Sequence, residues 1–235
     1  MRTLTLIAGT NGAGKTQFFP YFMERGFLSA VPVNIDGLEK YIDNAKLPND
    51  FFRYENARRK EIDRIFTDSC RYAIHQNLDF SYECNLRRDQ LKNVALFDNA
   101  GYRLNLIFIW LDNEEISTQR VQKRVEEGGH FVGKESIRHN YREGLTNLDI
   151  SYQDWNEVYV FDNSADIATN PHQIFTLLLH IKAGKFEYVS KQFLLKEKIT
   201  EKLPNIYKAI LAQEIEVKKG VTAEEKIRGK VVSPK

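Results

Sequence analysis

The stretch LTLIAGTNGAGKT, residues 4–16, places an apolar run directly before a glycine-rich loop. The loop fits the pattern G-x-x-x-x-G-K-[ST], with Gly9, Gly14, Lys15 and Thr16 at the defined positions. Glycines allow positive φ, so that successive backbone N–H groups can point inward at phosphate oxygens. The following stretch, QFFPYFMERG, indicates a helix whose N-terminus adds a positive dipole end. Strand, loop and helix in this order predict a phosphate-binding P-loop.

The P-loop pattern predicts ATP and Mg²⁺ as cofactors. The chain has neither the N-K-x-D tetrapeptide with which switch GTPases read guanine nor the LSGGQ-like segment of ABC ATPases, so neither class is expected. Lys15 is expected to reach the β- and γ-phosphates, and the Thr16 hydroxyl is expected to ligate Mg²⁺. The residues predicted to contact the nucleotide are Gly9, Thr10, Asn11, Gly12, Ala13, Gly14, Lys15 and Thr16.

The composition indicates a globular protein of one large domain, since 42% of the 235 residues are hydrophobic and 28% are charged. No apolar stretch reaches the length of a membrane span, and the N-terminus is too quickly broken by glycine for a signal peptide. The two cysteines, Cys70 and Cys84, form no C-x-x-C motif. These features predict a reduced, cytoplasmic protein without a membrane partner.

The net charge of +2 is unevenly distributed, with twelve Lys and Arg against seven Asp and Glu from Lys185 onward. A basic tail can bind nucleic acid or a partner protein, but it is more often a solvated helix. The body of the chain has no basic stripe with interleaved aromatic residues. A nucleic-acid partner is therefore not expected.

Alternating strands and helices predict an α/β fold with an open parallel sheet, because several strand segments are apolar throughout. Helices are expected at 51–76, 87–99, 114–127 and 134–148, the third opening with a capping box of Asp112 and Glu115. The five predicted strands are TLTLIAG (3–9), VPVNID (31–36), LDFSYE (78–83), RLNLIFIW (103–110) and NEVYVFD (156–162).

The C-terminal part is expected to be helical, with one helix over 171–182 and one or two more over 186–199 and 203–216. The predicted organisation is a P-loop domain at 1–184, a helical C-terminal extension at 185–217 and a frayed tail at 218–235.

Acids and arginines lie where phosphoryl transfer to a hydroxyl needs them. Asp36 and Glu83 end the second and third predicted strands, where ligands bind in open parallel sheets. Arg120 and Arg124 share one helical face, and Arg138 follows a glycine-containing turn. A carboxylate can orient and deprotonate the acceptor, and fixed cations stabilise charge on the transferring group.

Each of these residues could instead have a purely structural role, and the sequence leaves both interpretations open. Asp36 could be a helix N-cap, Glu83 could form a structural ion pair, and Arg124 could be a solvated charge. Asp112 could ligate Mg²⁺ at the end of its strand, but a helix cap is the favoured interpretation.

Seven motifs in order resemble the zeta toxin family of P-loop kinases, over about residues 1–165. They are G-x-N-G-A-G-K-T, N-x-D, F-x-Y-E, GYRLNLIFIWL, R-V-x-x-R-V-x-x-G-G-H, YREGLTNL and VFDNS. The resemblance implies a nucleotide-kinase type fold, with the P-loop strand central in a five-stranded parallel sheet. It also implies a small-molecule acceptor, such as the nucleotide sugar UDP-N-acetylglucosamine, and an epsilon-type antitoxin as partner.

The resemblance assigns roles to matching positions. Lys15 and Thr16 match the phosphate and magnesium residues, and Asp36 matches the catalytic base for the sugar hydroxyl. Glu83 matches an acid in the substrate pocket. Arg120 matches a catalytic arginine near the phosphates, and Arg124 lies on the same face.

This chain departs from the family pattern at three places. Thr10 stands where proline is usual. Cys84 and Asn85 replace two threonines, so Asn85 is a predicted substrate contact that bears on acceptor specificity. Where relatives have an arginine-rich stretch, this chain reads IRHNY at 137–141, and Arg138 is the candidate phosphate contact there.

Two other functions agree with the sequence. The chain could be a kinase of another metabolite, a nucleoside or a polynucleotide end. It could also be a non-kinase ATPase that acts as a switch or interaction protein.

Overall fold

A computed structural model of the chain describes residues 1–43, 46–48, 50–129, 131–165, 176–213 and 221–222, except the side chains of residues 36, 51, 221 and 222. The strands in these ranges join one sheet of order β2-β3-β1-β4-β5-β6-β7, with β8 paired to β6. The first five strands run parallel. They are β1 (Thr3–Ala8), β2 (Val33–Asn34), β3 (Phe80–Cys84), β4 (Arg103–Trp110) and β5 (Glu157–Asp162).

The parallel part of the sheet is buried on both faces, as its apolar sequence requires. In β1, Leu4, Leu6, Ile7 and Ala8 have no exposed surface. The predicted α/β fold is therefore confirmed, with all five predicted strands present and the P-loop strand at their centre.

The helix predicted over 87–99 is wrong before residue 94, because residues Arg88–Leu91 form a separate 3-10 helix. With that exception, the α-helices that flank the sheet lie close to their predicted bounds. They are α1 (Phe19–Glu24), α2 (Phe51–His75), α3 (Val94–Asn99), α4 (Glu114–Glu126) and α5 (Lys134–Ser151). The capping box predicted for Asp112 and Glu115 is wrong. The side chain of Asn113 caps α4 instead, accepting a 3.0 Å hydrogen bond from the backbone N–H of Ile116.

Two antiparallel strands extend the sheet beyond β5, where helices were expected. These are β6 (Thr176–Lys182) and β7 (Lys185–Val189), so the helices predicted over 171–182 and from 186 are wrong at these residues. Residues 171–175 lie outside the described ranges. A buried strand such as TLLLHIK lacks polar alternation, so its pattern does not distinguish it from a buried helix. The two-residue hairpin is Ala183-Gly184, both at positive φ.

The chain after β7 shares the main core. It forms α6 (Lys191–Leu194), α7 (Ile199–Lys202) and α8 (Pro204–Ala212), and buries Phe193, Leu203 and Ile206 completely. We call residues 185–213 the C-terminal segment. The predicted tail from residue 218 lies outside the described ranges, except β8 (Val221–Thr222), which pairs with β6. Within the described ranges, no helix has the length and apolar character needed to cross a bilayer.

Phe193 tests whether the C-terminal segment is part of the core. Its ring has no exposed surface and lies 6.4 Å from that of Trp110 in an edge-to-face contact. We expect Phe193→Ala to lower the free energy of unfolding by about 3–5 kcal/mol, because it leaves a cavity. Leu195→Ala is the matched control, since Leu195 is 73% exposed. Denaturant unfolding measures both, and equal stabilities would show that the segment does not contribute to the core.

Candidate active site

The predicted P-loop connects the central strand to a short helix, as its motif requires. It leaves β1 at Gly9 and enters a 3-10 helix (Thr16–Phe18) that leads into α1. Gly9, Gly12 and Gly14 all have positive φ. A Cβ on Gly9 would lie 2.6 Å from the carbonyl oxygen of Ile109, so only glycine lets β4 approach this closely.

Lys15 folds back over the loop. Its Nζ donates to the carbonyl oxygens of Gly9 and Thr10, at 2.8 and 3.1 Å, and to Oδ1 of Asn85 at 3.1 Å. The ammonium group therefore lies against the mouth of the loop, where nucleotide phosphates would bind. Asn85, a predicted substrate contact, is thus joined directly to the P-loop lysine.

Thr16 and Glu83 meet across neighbouring strands. The Thr16 hydroxyl donates to Oε2 of Glu83 at 2.9 Å. Parallel pairing of β1 with β3, in which Ile7 lies beside Glu83, brings the two residues together. A hydroxyl and a carboxylate at the head of the P-loop offer the oxygen ligands that Mg²⁺ prefers.

The turn after β3 is held by a glutamine that the sequence analysis missed. Oε1 of Gln90 accepts from the backbone N–H groups of Asn85 and Arg87, at 2.9 and 3.2 Å. The neighbouring Cys84 is buried, which raises the pKa of its thiol to about 12. Cys84 therefore stays protonated at neutral pH and has no nucleophilic role.

Helix α4 docks on the P-loop through one face. Ser117 Oγ donates to the carbonyl oxygen of Asn11 at 2.5 Å. One turn further on, the Arg120 guanidinium donates to the carbonyl oxygens of Gly12 at 3.4 Å and Ala165 at 2.8 Å. Arg120 therefore lies beside the loop, and it also lines the cleft in front of it.

The other two predicted arginines have different positions. Arg124 lines the cleft in front of the P-loop. Arg138 is not among the residues that line that cleft, and its Nε lies 3.0 Å from Oε2 of Glu114, the first residue of α4. Two residues later, Asn140 Nδ2 donates to Oδ1 of Asn11 at 2.7 Å. The side chain of α5 that contacts the P-loop here is therefore the amide of Asn140 and not the guanidinium of Arg138.

The cleft has a volume of about 1050 Å³ and is lined on one side by Gly12–Thr16 and α4. On the other side it is lined by Asn34, Ile35 and Glu83 at the ends of β2 and β3. Residue 36 begins the 3-10 helix Asp36–Tyr41 directly after β2. The structure therefore places this position next to cleft-lining residues, at the sheet edge where ligands bind.

Three further cations line the cleft and were not predicted: Arg87, in the turn after β3, and two on helices. Arg59 comes from α2 and Lys123 comes from α4. Arg59 lies on the long helix that packs against the 3-10 helix at 36–41. Arg59 and Lys123 belong to no local sequence motif, so their place in the cleft becomes evident only from the packing of the helices.

Asp112 neither caps α4 nor faces the P-loop as a metal ligand. Its Oδ1 accepts from Lys196 Nζ at 2.7 Å and from Trp110 Nε1 at 2.9 Å. Burial alone raises the pKa of this carboxyl, but the hydrogen bonds from Lys196 and Trp110 outweigh that effect and hold the pKa below its usual value. Asp112 is therefore a charged partner of the C-terminal segment.

The amino-acid sequence of this chain matches a known protein family. The family model described as Zeta toxin matches residues 2–170. An uncharacterized protein of Haemophilus influenzae is 26% identical over 136 residues, which are 57% of this chain and 88% of that protein.

Solved structures share the fold at low sequence identity. A chain from the PezAT chromosomal toxin–antitoxin system of Streptococcus pneumoniae has a TM-score of 0.52 and 16% identity, covering 69% of each chain. A chain of AvrRxo1-ORF1:AvrRxo1-ORF2 with sulphate ions has a TM-score of 0.58 and 12% identity, covering 100% of this chain and 81% of that chain. A chain of AvrRxo1-ORF1:-ORF2 with ATP has a TM-score of 0.57 and 16% identity, covering 85% and 64%. These likenesses show the fold alone.

Gly14 and Gly26 form a matched pair for testing the P-loop. Both have positive φ, but a Cβ on Gly14 would lie 2.8 Å from Asn163 Nδ2, whereas one on Gly26 meets nothing within 4 Å. We expect Gly14→Ala to weaken ATP binding at least about tenfold, because the loop must shift. Gly26→Ala should cost only about 1 kcal/mol of stability and leave ATP affinity unchanged. Calorimetric titration with ATP measures both, and equal affinities would contradict the assignment of the loop.

Proposed function

Because this chain belongs to the zeta toxin family, we propose that it is an ATP- and Mg²⁺-dependent kinase that phosphorylates a hydroxyl of a small molecule. The proposed acceptor is a nucleotide sugar such as UDP-N-acetylglucosamine. The observation that carries the proposal is the joint placement of Lys15, Arg120 and Glu83 around one cleft in front of the P-loop.

The phosphate side of the cleft supplies fixed positive charge. Lys15 and the loop backbone are suited to the β- and γ-phosphates, and Arg120 is suited to the charge that spreads over the transferring group. Arg124 and Lys123 add cations from the same helix. Positioning and electrostatic stabilisation account for most of the catalysis in phosphoryl transfer, and these residues can provide both.

Thr16 and Glu83 are the residues that fit Mg²⁺. Their oxygen atoms lie 2.9 Å apart at the head of the P-loop. In the described ranges no group of three or more His, Cys, Asp or Glu side chains could hold a metal. This agrees with the usual mode of Mg²⁺, which uses one or two protein oxygens together with phosphates and water. The ion would neutralise charge on the phosphate oxygens.

The acceptor side combines acidic and basic groups. Asp36 is the proposed base, at the start of the 3-10 helix after β2. Arg59 also lines this cleft and can bind an anionic group of the acceptor, as a nucleotide sugar requires. Arg87 lines the cleft as well, but its guanidinium is paired with Asp89. Asn85 adds an amide that replaces a family threonine and can contact the acceptor.

The proposed reaction is a single in-line displacement. The acceptor oxygen forms a bond to the γ-phosphorus while the bond from that phosphorus to the β–γ bridging oxygen breaks. The hydroxyl proton passes to Asp36, and ADP leaves.

The test of the proposed acceptor is a panel of nucleotide sugars, nucleosides, other metabolites and polynucleotide ends, each with ATP and Mg²⁺. We expect a phosphorylated nucleotide sugar and one ADP for each product. If a nucleoside or a polynucleotide end is phosphorylated instead, that molecule replaces the nucleotide sugar as the proposed acceptor. ATP hydrolysis that no acceptor accelerates would favour an ATPase switch.

We also propose that the protein is the toxin of a toxin–antitoxin pair, with an epsilon-type antitoxin as its partner. The support is membership of the zeta toxin family and the fold shared with a chain of the PezAT toxin–antitoxin system. The proposal is tested by induced expression in cells. Growth should stop with the wild type and continue with Lys15→Ala.

Asp36→Asn tests the proposed base. Asparagine keeps the size of the side chain and much of its hydrogen bonding but cannot accept the proton. We expect phosphoryl transfer to fall by roughly 10²- to 10⁴-fold with ATP binding retained. Lys15→Ala is the comparison, because it should weaken ATP binding as well as transfer. Wild-type transfer in Asp36→Asn would move the role of base to Glu83.

Arg120→Ala tests the proposed transition-state contact. The charge that Arg120 meets grows during transfer, so turnover should fall by about 10²-fold or more, a far larger effect than any loss of ATP affinity. Arg120→Lys should restore only part of the turnover, since an ammonium lacks the planar fork of the guanidinium. Single-turnover kinetics separate the two effects. Unchanged turnover in Arg120→Ala would point to Arg124 instead.

A further inference from the structure

Lys196 lies between two carboxylates at the C-terminal ends of neighbouring strands. Its Nζ is 2.7 Å from Oδ1 of Asp112, after β4, and 2.5 Å from Oδ2 of Asp162, at the end of β5. The side chains of Lys196 and Asp162 are only 12% and 13% exposed. Buried charges are costly unless they are paired, so these groups depend on one another. The other oxygen of Asp162 accepts from the backbone and side chain of Ser164 at 2.9 and 2.5 Å.

The four residues from Asp162 to Ala165, which we call the β5 loop, lead from this ion cluster to the P-loop. Asn163 Nδ2 donates to the carbonyl oxygen of Ala13 at 2.9 Å, inside the P-loop. The carbonyl oxygen of Ala165 accepts from Arg120 at 2.8 Å. The β5 loop therefore contacts Lys196 at one end, and the P-loop and Arg120 further along.

A second lysine strengthens the link between the C-terminal segment and the end of β4. Lys202 Nζ donates to the carbonyl oxygen of Asp112 at 2.6 Å and lies 5.5 Å from the ring centre of Trp110. Phe193 packs against the same tryptophan. The segment thus approaches Asp112 as a packed unit, which limits how far Lys196 can move.

We propose that Lys196 is a positioning residue of the nucleotide site. By bridging Asp112 and Asp162, it fixes the β5 loop, which in turn holds the P-loop through Asn163. Lys196 lies beyond residue 170, where the match to the family model ends. The inference rests on nucleotide binding by the P-loop, and it is independent of the acceptor and of the proposed base.

A double-mutant cycle on ATP affinity tests this role. The four proteins are the wild type, Lys196→Met, Asn163→Ala and the double variant, titrated with ATP and Mg²⁺ in a calorimeter without acceptor. We expect each single change to weaken ATP binding about tenfold. The double variant should be no more than about twofold weaker than the single variants, because both changes release the same loop. Losses that multiply to about 100-fold would overturn the proposal.

The matched control is Lys191→Met, an exposed lysine of the same segment. It should bind ATP as the wild type does, and a tenfold loss there would show that the effect of Lys196→Met is not specific. Wild-type affinity in Lys196→Met would also overturn the proposal.

A second variant covers the case in which Lys196→Met does not fold. Lys196→Met combined with Asp162→Asn removes the ammonium and one buried carboxylate together, and asparagine can still accept from Ser164. With a cooperative melting transition as the check on folding, this protein should show the same tenfold loss of ATP affinity. Affinity equal to that of the wild type would exclude a positioning role for Lys196. Because no acceptor is present, failure of phosphoryl transfer leaves this outcome unaffected.

Discussion

Parallel pairing of β1 with β3 on one side and β4 on the other brings the residues after these strands to one edge of the sheet. In this register Ile7 lies beside both Glu83 and Ile107. A slip of one residue would turn each side chain of β3 to the opposite face and separate Glu83 from Thr16. The side chains of β1 oppose such a slip, because they are buried and differ in size, and shifting them would disrupt the close packing of the core. The candidate active site therefore depends on a backbone ladder whose register is set by the core.

The P-loop itself is held through its carbonyl groups, since four side chains, from the loop itself, from α4 and from the β5 loop, donate to five successive residues of the loop. The donors are Lys15 to Gly9 and Thr10, Ser117 to Asn11, Arg120 to Gly12, and Asn163 to Ala13. Buried backbone groups need such partners, so the loop has a defined shape before nucleotide arrives. Of these donors, Lys15 must leave the loop carbonyls when it binds phosphates. The contacts of Ser117 and Asn163 can persist.

Local sequence was sufficient for the P-loop, the five parallel strands and the helices between them, because each has a complete pattern within a short window. The position of Glu83 beside the loop followed from the rule that parallel strands end at one edge. The position of Arg120 followed from the resemblance to the zeta toxin family. The strand β6 could not be recognised, since its fully buried residues have no alternation. Arg138 does not line the cleft and pairs instead with Glu114, a contact that no local sequence pattern indicates. Lys196 was missed for a similar reason, as its partners Asp112 and Asp162 belong to other strands.

The bridge from Lys196 to Asp112 and Asp162 has a consequence for the order in which the protein matures during translation. The P-loop at residues 9–16 is made early, but the lysine that closes the ion cluster is made 180 residues after Thr16. At 5–20 residues per second, that interval is roughly 10–35 s. Nascent chains that lack the C-terminal segment leave two acidic groups without their cation, and β7 is also absent from the sheet. The arrangement delays a fully ordered nucleotide site until most of the polypeptide has left the ribosome.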